Sequence, residues 1–299
     1  MKVILTGAAG WLARFVTKEL EEGGHELRLV DCVNPAEATI FIPGQLERMH
    51  RPLTTRWPYI QADITDLTAM RQAAEGMDAM IHLAAATDGL SEHGSRIMQI
   101  NVVGTYVVLD AARQAGLKRV LAASSINAFG TFAWRLSGKP APYDRMPLEE
   151  NFAPVVEDPY SLSKLCNEET CAAFHRAYGL TTAAFRFAGV WTEELYDRRR
   201  GNMTPTTKWE DWLYSWVHVA DIAGGLRRAL ETPNLPGCGV YTLGAADTTC
   251  PEPTMEILAR FRPDLARTVK PPLPGRAPLL SIDRARQAFG YAPRYRLAP

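Results

Sequence analysis

Short apolar runs and helical patterns alternate along the first two-thirds of the chain. Val3-Ile4-Leu5 reads as a buried strand, and Trp11, Leu12, Phe15, Val16 and Leu20 then fall at helical spacing. Further strands are predicted at Glu26–Asp31, Tyr59–Ala62, Ala79–Ala84, Lys118–Ala123 and Thr181–Phe187. Helical patterns separate the later ones: Leu67–Glu75, then Ile97–Ala115 with Ile100, Val103, Val107 and Ala111 on one face, then Ser161–Tyr178. Repeated strand–helix–strand units of this length predict an α/β fold, a doubly wound parallel sheet of Rossmann type. After Ala188 the rhythm breaks. Residues 189–216 hold four of the seven tryptophans (Trp191, Trp209, Trp212, Trp216) and the run Arg198-Arg199-Arg200. A helix at Asp221–Glu231 and a strand at Val240–Leu243 follow, then a Pro-rich tail with a short helix at Asp283–Phe289.

Composition narrows the class. Of 299 residues, 33 are Lys or Arg and 33 are Asp or Glu, so no broad basic face is expected for nucleic acid or an anionic membrane. With 46% apolar and 22% charged residues the chain is not of the disordered type. No apolar run approaches the roughly 18 residues of a membrane span, and the Gly-rich turn after Leu5 leaves no signal-peptide core. Five scattered cysteines, Cys32, Cys166, Cys171, Cys238 and Cys250, include no C-x-x-C pair, which argues against a disulfide framework or structural zinc. A cytoplasmic protein with no metal site is expected.

Thr6-Gly7-Ala8-Ala9-Gly10-Trp11-Leu12-Ala13 lies between the first strand and the first helix, with the spacing G-x-x-G-x-x-A. The first glycine permits a tight turn, the second lets backbone approach a pyrophosphate, and the small third residue lets helix and sheet pack closely. Gly7, Ala9, Gly10, Trp11 and Leu12 are therefore expected at a dinucleotide. Asp31 ends the second strand 24 residues after Gly7, placed to accept hydrogen bonds from an adenosine ribose. A 2′-phosphate at ~4 Å from it, at an effective dielectric of ~20, meets a repulsion of about 4 kcal/mol. Cys32-Val33-Asn34 supplies no compensating base, so NAD is expected rather than NADP. Residues 1–188, with 217–247 returning, are assigned to the NAD-binding domain; 189–216 and 248–299 are assigned to a small substrate lobe.

Tyr160-Ser161-Leu162-Ser163-Lys164 puts a phenol and an ammonium at i and i+4 on one helix face. A neighbouring cation favours the phenolate and is expected to lower the tyrosine pKa by about one to three units. The pattern follows the fifth strand by one loop, and Ser124-Ser125 ends that strand, where ligands bind in open α/β sheets. Ser125 is expected to hold a substrate oxygen while Tyr160 moves the proton.

With these residues the chain resembles the extended short-chain dehydrogenase/reductase family, the NAD-dependent epimerase/dehydratase group, over nearly its whole length. Asp63-Ile64-Thr65-Asp66 matches the segment that meets adenine there, and His82-Leu83-Ala84-Ala85 the segment that lines the cofactor. Asn101-Val102-Val103-Gly104-Thr105 matches the N-x-x-G-T helix. Ser124-Ser125-Ile126-Asn127-Ala128-Phe129-Gly130 matches the serine segment, with Phe129 where Tyr is usual. Val217-His218-Val219-Ala220-Asp221 and the tail from Asp283 to Pro293 also fit. The resemblance implies cofactor contacts at Asp63, Ile64, Leu83, Ala84, Ala85, Asn101, Tyr160 and Lys164. It implies substrate contacts at Ser125, Ile126 and Asn127.

Departures bear on the substrate. Phe187-Ala188-Gly189 follows Arg186 where nucleotide-sugar epimerases usually carry an Asn, and Trp212-Leu213-Tyr214-Ser215-Trp216 stands where they tend to place a diphosphate-binding Arg. The chain is similar in this to the family's smaller sugar-acid dehydrogenases, which nominates Thr87 and Arg186 as substrate contacts. Arg186 has two readings: a carboxylate clamp, or a salt bridge with Glu193 or Glu194. The tryptophans read as the small lobe's core or as a sugar platform, Arg198-Arg199-Arg200 as a solvated loop or an anion site, and His82 and His218 as packing residues or acid/base groups. The expected activity is NAD-dependent hydride transfer from a hydroxyl of a sugar or sugar acid. A nucleotide-sugar epimerase is the alternative, and a non-enzymatic NAD sensor a third. The expected partners are a small-molecule substrate and a second copy in a homodimer.

Overall fold

In the computed structural model, which describes residues 1–40, 49–87, 91–132 and 135–297, the strands alternate between two buried faces. The first half comprises β1 (Lys2–Thr6), α1 (Trp11–Glu22), β2 (Glu26–Asp31), the short β3 (Thr39–Ile40) and β4 (Met49–His50), β5 (Tyr59–Gln61), α2 (Leu67–Ala74) and β6 (Ala79–His82). Next come α3 (Gly94–Met98), a π-helical turn (Gln99–Val103), α4 (Gly104–Gln114), β7 (Arg119–Ser125), α5 (Pro159–Tyr178) and β8 (Thr181–Phe187). The remainder holds β9 (Val190–Trp191), α6 (Glu193–Arg200), β10 (Val217–His218), α7 (Val219–Glu231), β11 (Cys238–Leu243), α8 (Thr254–Phe261), α9 (Pro263–Ala266) and α10 (Asp283–Phe289).

Seven strands pair in the order β11-β8-β7-β6-β1-β2-β5, and every pairing is parallel. Side-chain alternation sends Val3, Leu5, Leu29, Ile81 and Leu121 into one core and Ile4, Val30, Met80 and Val120 into the other. Helices cover both cores, which is why the strands read as continuous apolar runs. α1 and α7 contribute Val16, Leu20, Ile222 and Leu226 to the first core; α2, α4 and α5 contribute Met70, Leu109 and Phe174 to the second.

The chain winds outward from β1 through β2 to β5, then returns and winds the other way from β6 through β7 and β8 to β11. The direction reverses between β1 and β6, the topological switch point where such sheets bind ligands beyond their strand ends. The strand beginning at Ala79 stops at His82, short of the expected Ala84, and the residues beyond it line that crevice. The predicted helix at 97–115 is interrupted by a π-turn around Asn101.

Three local expectations change. Arg198-Arg199-Arg200 is the last turn of α6, where cations face the carbonyl end of the helix, and no loop. The Pro-rich tail also contains α8 and α9. Trp216 and Trp191 form a satellite core with Tyr196, Ala245, Leu297 and Tyr295, whereas Trp209 packs on the main core and Trp212 is 39% exposed. Leu213, Tyr214, Ile257 and Leu258 share the main core with Val3 and Leu5.

Candidate active site

At the switch point, Gly7 has φ +71°, and a Cβ there would lie 2.7 Å from the Ala84 backbone nitrogen. Only glycine supplies both the left-handed conformation and the close approach. The turn is braced from below: Ala8 N–H donates to the Val30 carbonyl at 3.1 Å, and Gly10 N–H to the Gly7 carbonyl at 3.0 Å. Gly10 is the N-cap of α1 and has no side chain to accept from the first-turn amides, which leaves them for an anion. Ala13 is buried where helix meets sheet. Asp31 accepts from Ala9 N–H at 3.0 Å and from Val33 N–H at 3.1 Å, so one carboxylate fixes both the Gly-rich turn and the exit of β2. These features fit a dinucleotide: Gly7 to Leu12 at its pyrophosphate and Asp31 beside its ribose.

The flanking segments are held by buried polar side chains. Asp63 accepts from the Thr65 amide and hydroxyl, both at 2.8 Å, closing the turn after β5, and Ile64 packs beneath it against Gly104. His82 bridges Thr6 Oγ1 at 2.7 Å and Thr105 Oγ1 at 3.1 Å. Burial, with the nearby Lys164 charge, pushes its pKa down to about 3, so His82 is a neutral strut between β1, β6 and α4. Asn101, expected to touch the cofactor, is fully buried: it accepts from Ala86 N–H at 2.7 Å and donates to the Ala86 carbonyl and Ser163 Oγ, both at 2.9 Å. Its amide holds the segment after β6 against α5 and has no face toward the crevice. Leu83, Ala84 and Ala85 are half-buried there, and Thr87 is exposed at the mouth.

Ser125, Tyr160 and Lys164 converge across β7 and α5. Asp158 caps α5, accepting from Ser161 N–H at 2.9 Å and from the Ser161 hydroxyl, and Pro159 presets the first turn. The fixed helix start brings the Tyr160 hydroxyl into hydrogen bonding with Ser125. Lys164 is buried, donates to the Ala123 carbonyl at 3.2 Å and lies 5.5 Å from the Tyr160 ring centre. The phenol is nevertheless not lowered as expected. Burial pushes it up to about 12, and Asp158 adds to that, against the Ser125 hydrogen bond. Burial also brings Lys164 down to about 8, with Glu168 acting against it. Ser125 Oγ accepts from Asn127 N–H at 3.1 Å, which starts a short helical turn to Gly130. Ile126 points into the core under this turn, so its expected substrate contact gives way to packing; Asn127 stays half-buried.

The sequence nominated Glu193 or Glu194 as protein partners of Arg186, and neither is used. Arg186 donates through Nε and Nη2 to the two oxygens of Glu168, at 2.8 and 2.7 Å, and its Nη1 faces the Glu150 carbonyl at 3.4 Å. Its guanidinium also stacks 4.1 Å from the Phe129 ring centre. The two-pronged edge expected to clamp a substrate carboxylate is therefore occupied by a protein carboxylate. Glu168 was missed in the sequence, although its spacing four residues after Lys164 puts it on the same helix face. His218 is buried with Tyr295 stacked on it at 3.5 Å and Glu193 at 3.1 Å, and burial lowers its pKa to about 4. It is a packing residue, as His82 is. Among the described residues, no group of three or more His, Cys, Asp or Glu is arranged to hold a metal ion, and no helix is long and apolar enough to cross a membrane.

A Rossmann sheet with a Gly-rich turn at its switch point, and a Ser/Tyr/Lys set shared between β7 and α5, defines a nucleotide-dependent enzyme class. The sequence profile of the NAD dependent epimerase/dehydratase family matches residues 3–244, and the chain belongs to that family. It is an NAD-dependent enzyme of the extended short-chain dehydrogenase/reductase type. It is 27% identical to a uronate dehydrogenase of Pseudomonas syringae pv. tomato, over 80% of this chain and 73% of that protein. It is 24% identical to UDP-glucose 4-epimerase 2 of Arabidopsis thaliana, over 92% of this chain and 84% of that one. Its fold is similar to a crystal structure of UDP-glucose-4-epimerase from Stenotrophomonas maltophila, with TM-score 0.70, 20% identity, and 99% and 94% of the two chains covered.

Proposed function

We propose that the protein oxidises a hydroxyl of a sugar or sugar acid, of hexuronate size, with NAD as acceptor. The observation that carries this reading is the convergence of Ser125, Tyr160 and Lys164 beside the crevice that begins at Gly7. Bound NAD supplies the acceptor for the hydride that leaves the substrate carbon. Gly7, Ala9, Gly10, Trp11, Leu12 and Asp31 hold it, with Asp63, Leu83, Ala84 and Ala85 along its sides. Ser125 orients the substrate oxygen, and Tyr160, once its own proton has been lost to solvent, receives the hydroxyl proton at its phenolate oxygen. Lys164 supplies the positive charge that a phenol raised by burial needs before it can act as a base. Thr87 and Asn127 are the proposed substrate contacts, and residues 189–216 and 248–299 the substrate lobe. The likeness to a uronate dehydrogenase supports a free sugar acid over a nucleotide sugar. Incubating the protein with NAD and a panel of aldoses, hexuronates and nucleotide sugars, read by NADH absorbance, tests this: hexuronates should give the strongest signal, and a response confined to nucleotide sugars would refute it.

A homodimer through α4 and α5 is the proposed assembly. Tyr106 and Tyr178 are 54% and 55% exposed, Leu162 is exposed beside them on α5, and Val103 is exposed in the π-helical turn that leads into α4. Sedimentation should give twice 33.1 kDa, with Tyr106→Glu shifting it to the monomer; a monomeric parent would refute the assembly.

A further inference from the structure

α5 carries three successive rungs on one face, Tyr160, Lys164 and Glu168, each a helical turn apart. Each rung meets the last residues of β7: Tyr160 bonds Ser125, Lys164 bonds the Ala123 carbonyl, and Glu168 Oε1 accepts from Ser124 Oγ at 2.6 Å. Glu168 is itself fixed by the two-pronged contact from Arg186, whose guanidinium is wedged against Phe129. Lys164, Glu168, Ser124 and Arg186 are all buried. A buried ion pair contributes little net stability compared with apolar packing of the same volume, so stability alone is a weak account of this one.

We propose that Glu168 is a positioning residue for the proton transfer: Arg186 and Ser124 hold its carboxylate one turn below Lys164, and that carboxylate keeps the Lys164 ammonium charged and seated between Ala123 and Tyr160. The proposal rests on the roles given above to Tyr160 and Lys164. The ammonium has no carboxylate within ion-pair distance among the described residues, and its protein hydrogen bond is to a neutral carbonyl. The other ionisable groups around it oppose its charge or are neutral. Tyr160 on α5 is a protonated phenol and His82 on β6 is held neutral by burial. Arg186 on β8 is a like charge, turned onto Glu168. Arg96 of α3 is exposed, Arg119 of β7 is turned onto the Ala229 and Leu230 carbonyls, Asp110 and Arg113 of α4 pair with each other, and β11 brings Cys238 and Tyr241. Asp158 at the start of α5 is taken up by Ser161, so among the described residues Glu168 is the carboxylate that acts on the ammonium, in the direction that retains the proton.

The direct test follows the Lys164 side chain by carbon-13 NMR of lysine-labelled protein against pH, with Lys164→Ala to assign the signal. The parent should titrate near pH 8. Glu168→Gln should move the midpoint down by about one pH unit. The double variant Glu168→Gln/Arg186→Gln exchanges the ion pair for two neutral amides, so it retains the fold if the single variant's unpaired Arg186 does not. It should show a shift in the same direction. With glucuronate and NAD as the assay pair, the alkaline limb of kcat/KM should move with the NMR midpoint. A midpoint unchanged or raised in a folded variant overturns the proposal. A Tyr160→Phe variant with parental turnover would instead overturn the roles it rests on, and the two failures are separable because the NMR titration needs no substrate.

Discussion

The two ends of the crevice are built from different material. At the β1 end, backbone does the work: a left-handed glycine pressed against Ala84, a helix start with free amides, and one carboxylate to fix the turn. At the β7 end, side chains do it: Ser125, Tyr160 and Lys164 are set by Asp158, Ser124, Glu168 and Arg186, contributed by three elements far apart in sequence. A backbone site is specified by a few glycines at fixed spacing, so it is local and tolerant of what surrounds it. A side-chain site depends on buried charges whose cost is met only when every partner is present. The first end should therefore lose affinity when altered, and the second should lose turnover or stability.

The largest effect is expected at the side-chain end. Tyr160→Phe removes one hydroxyl and no packing volume, so it should retain NAD binding and melting temperature. Turnover should fall by about two to four orders of magnitude. Activity near that of the parent would show that the proton leaves by another route.

At the backbone end, Asp31→Ala should narrow the preference for NAD over NADP by up to roughly 1,000-fold, because the repulsion of about 4 kcal/mol on a 2′-phosphate goes with the carboxylate. Titrating both cofactors against parent and variant measures it. Equal affinities in the parent would remove the role of Asp31. Some loss of NAD affinity is also expected in the variant, since Asp31 holds Ala9 in place.

Arg186→Lys separates clamp from brace. Lysine keeps the charge and cannot reproduce two parallel contacts to Glu168. The brace predicts a stability loss of about 2 kcal/mol, with KM changed little. A raised KM at unchanged melting temperature would restore the carboxylate clamp.

A smaller effect is expected with acid. His82 is held neutral in the folded protein down to about pH 3, while the unfolded chain binds a proton from pH 6.5 downward. The unfolded state takes up more protons across that window, so stability falls as pH falls, by at most about 1.4 kcal/mol per pH unit from this residue. Urea midpoints measured between pH 7 and 4 should show the slope, and His82→Asn should reduce it. An identical slope in both proteins would place the acid sensitivity elsewhere.

The same contrast governs what could be read without the fold. The parallel sheet and the Gly-rich turn were legible because period and spacing are local properties: β2 spans Glu26–Asp31 and β8 Thr181–Phe187, as predicted. The partners of Arg186 were not, because Glu168 lies 18 residues away on another element and two nearer glutamates looked equally suitable. The buried roles of Asn101 and Ile126 were hidden for a related reason: a motif gives residue type and order, and burial is decided by what packs over it. The Tyr160 pKa went the other way from expectation because spacing reveals the neighbouring cation and conceals the desolvation. β3, β4 and α9 went unpredicted, being too short for a period to show, and α8 was masked by the prolines on either side of it.

The central claim is that the Ser125, Tyr160 and Lys164 site carries out a net oxidation. Its most direct test is the stoichiometry of a single reaction: NAD and glucuronate with the parent protein, NADH followed by absorbance and the sugar by chromatography. One NADH formed per glucuronate consumed, with Tyr160→Phe nearly silent, is the predicted result. No NADH from any hexuronate, together with interconversion of a nucleotide sugar at constant NAD, would contradict it and leave the site to an epimerase.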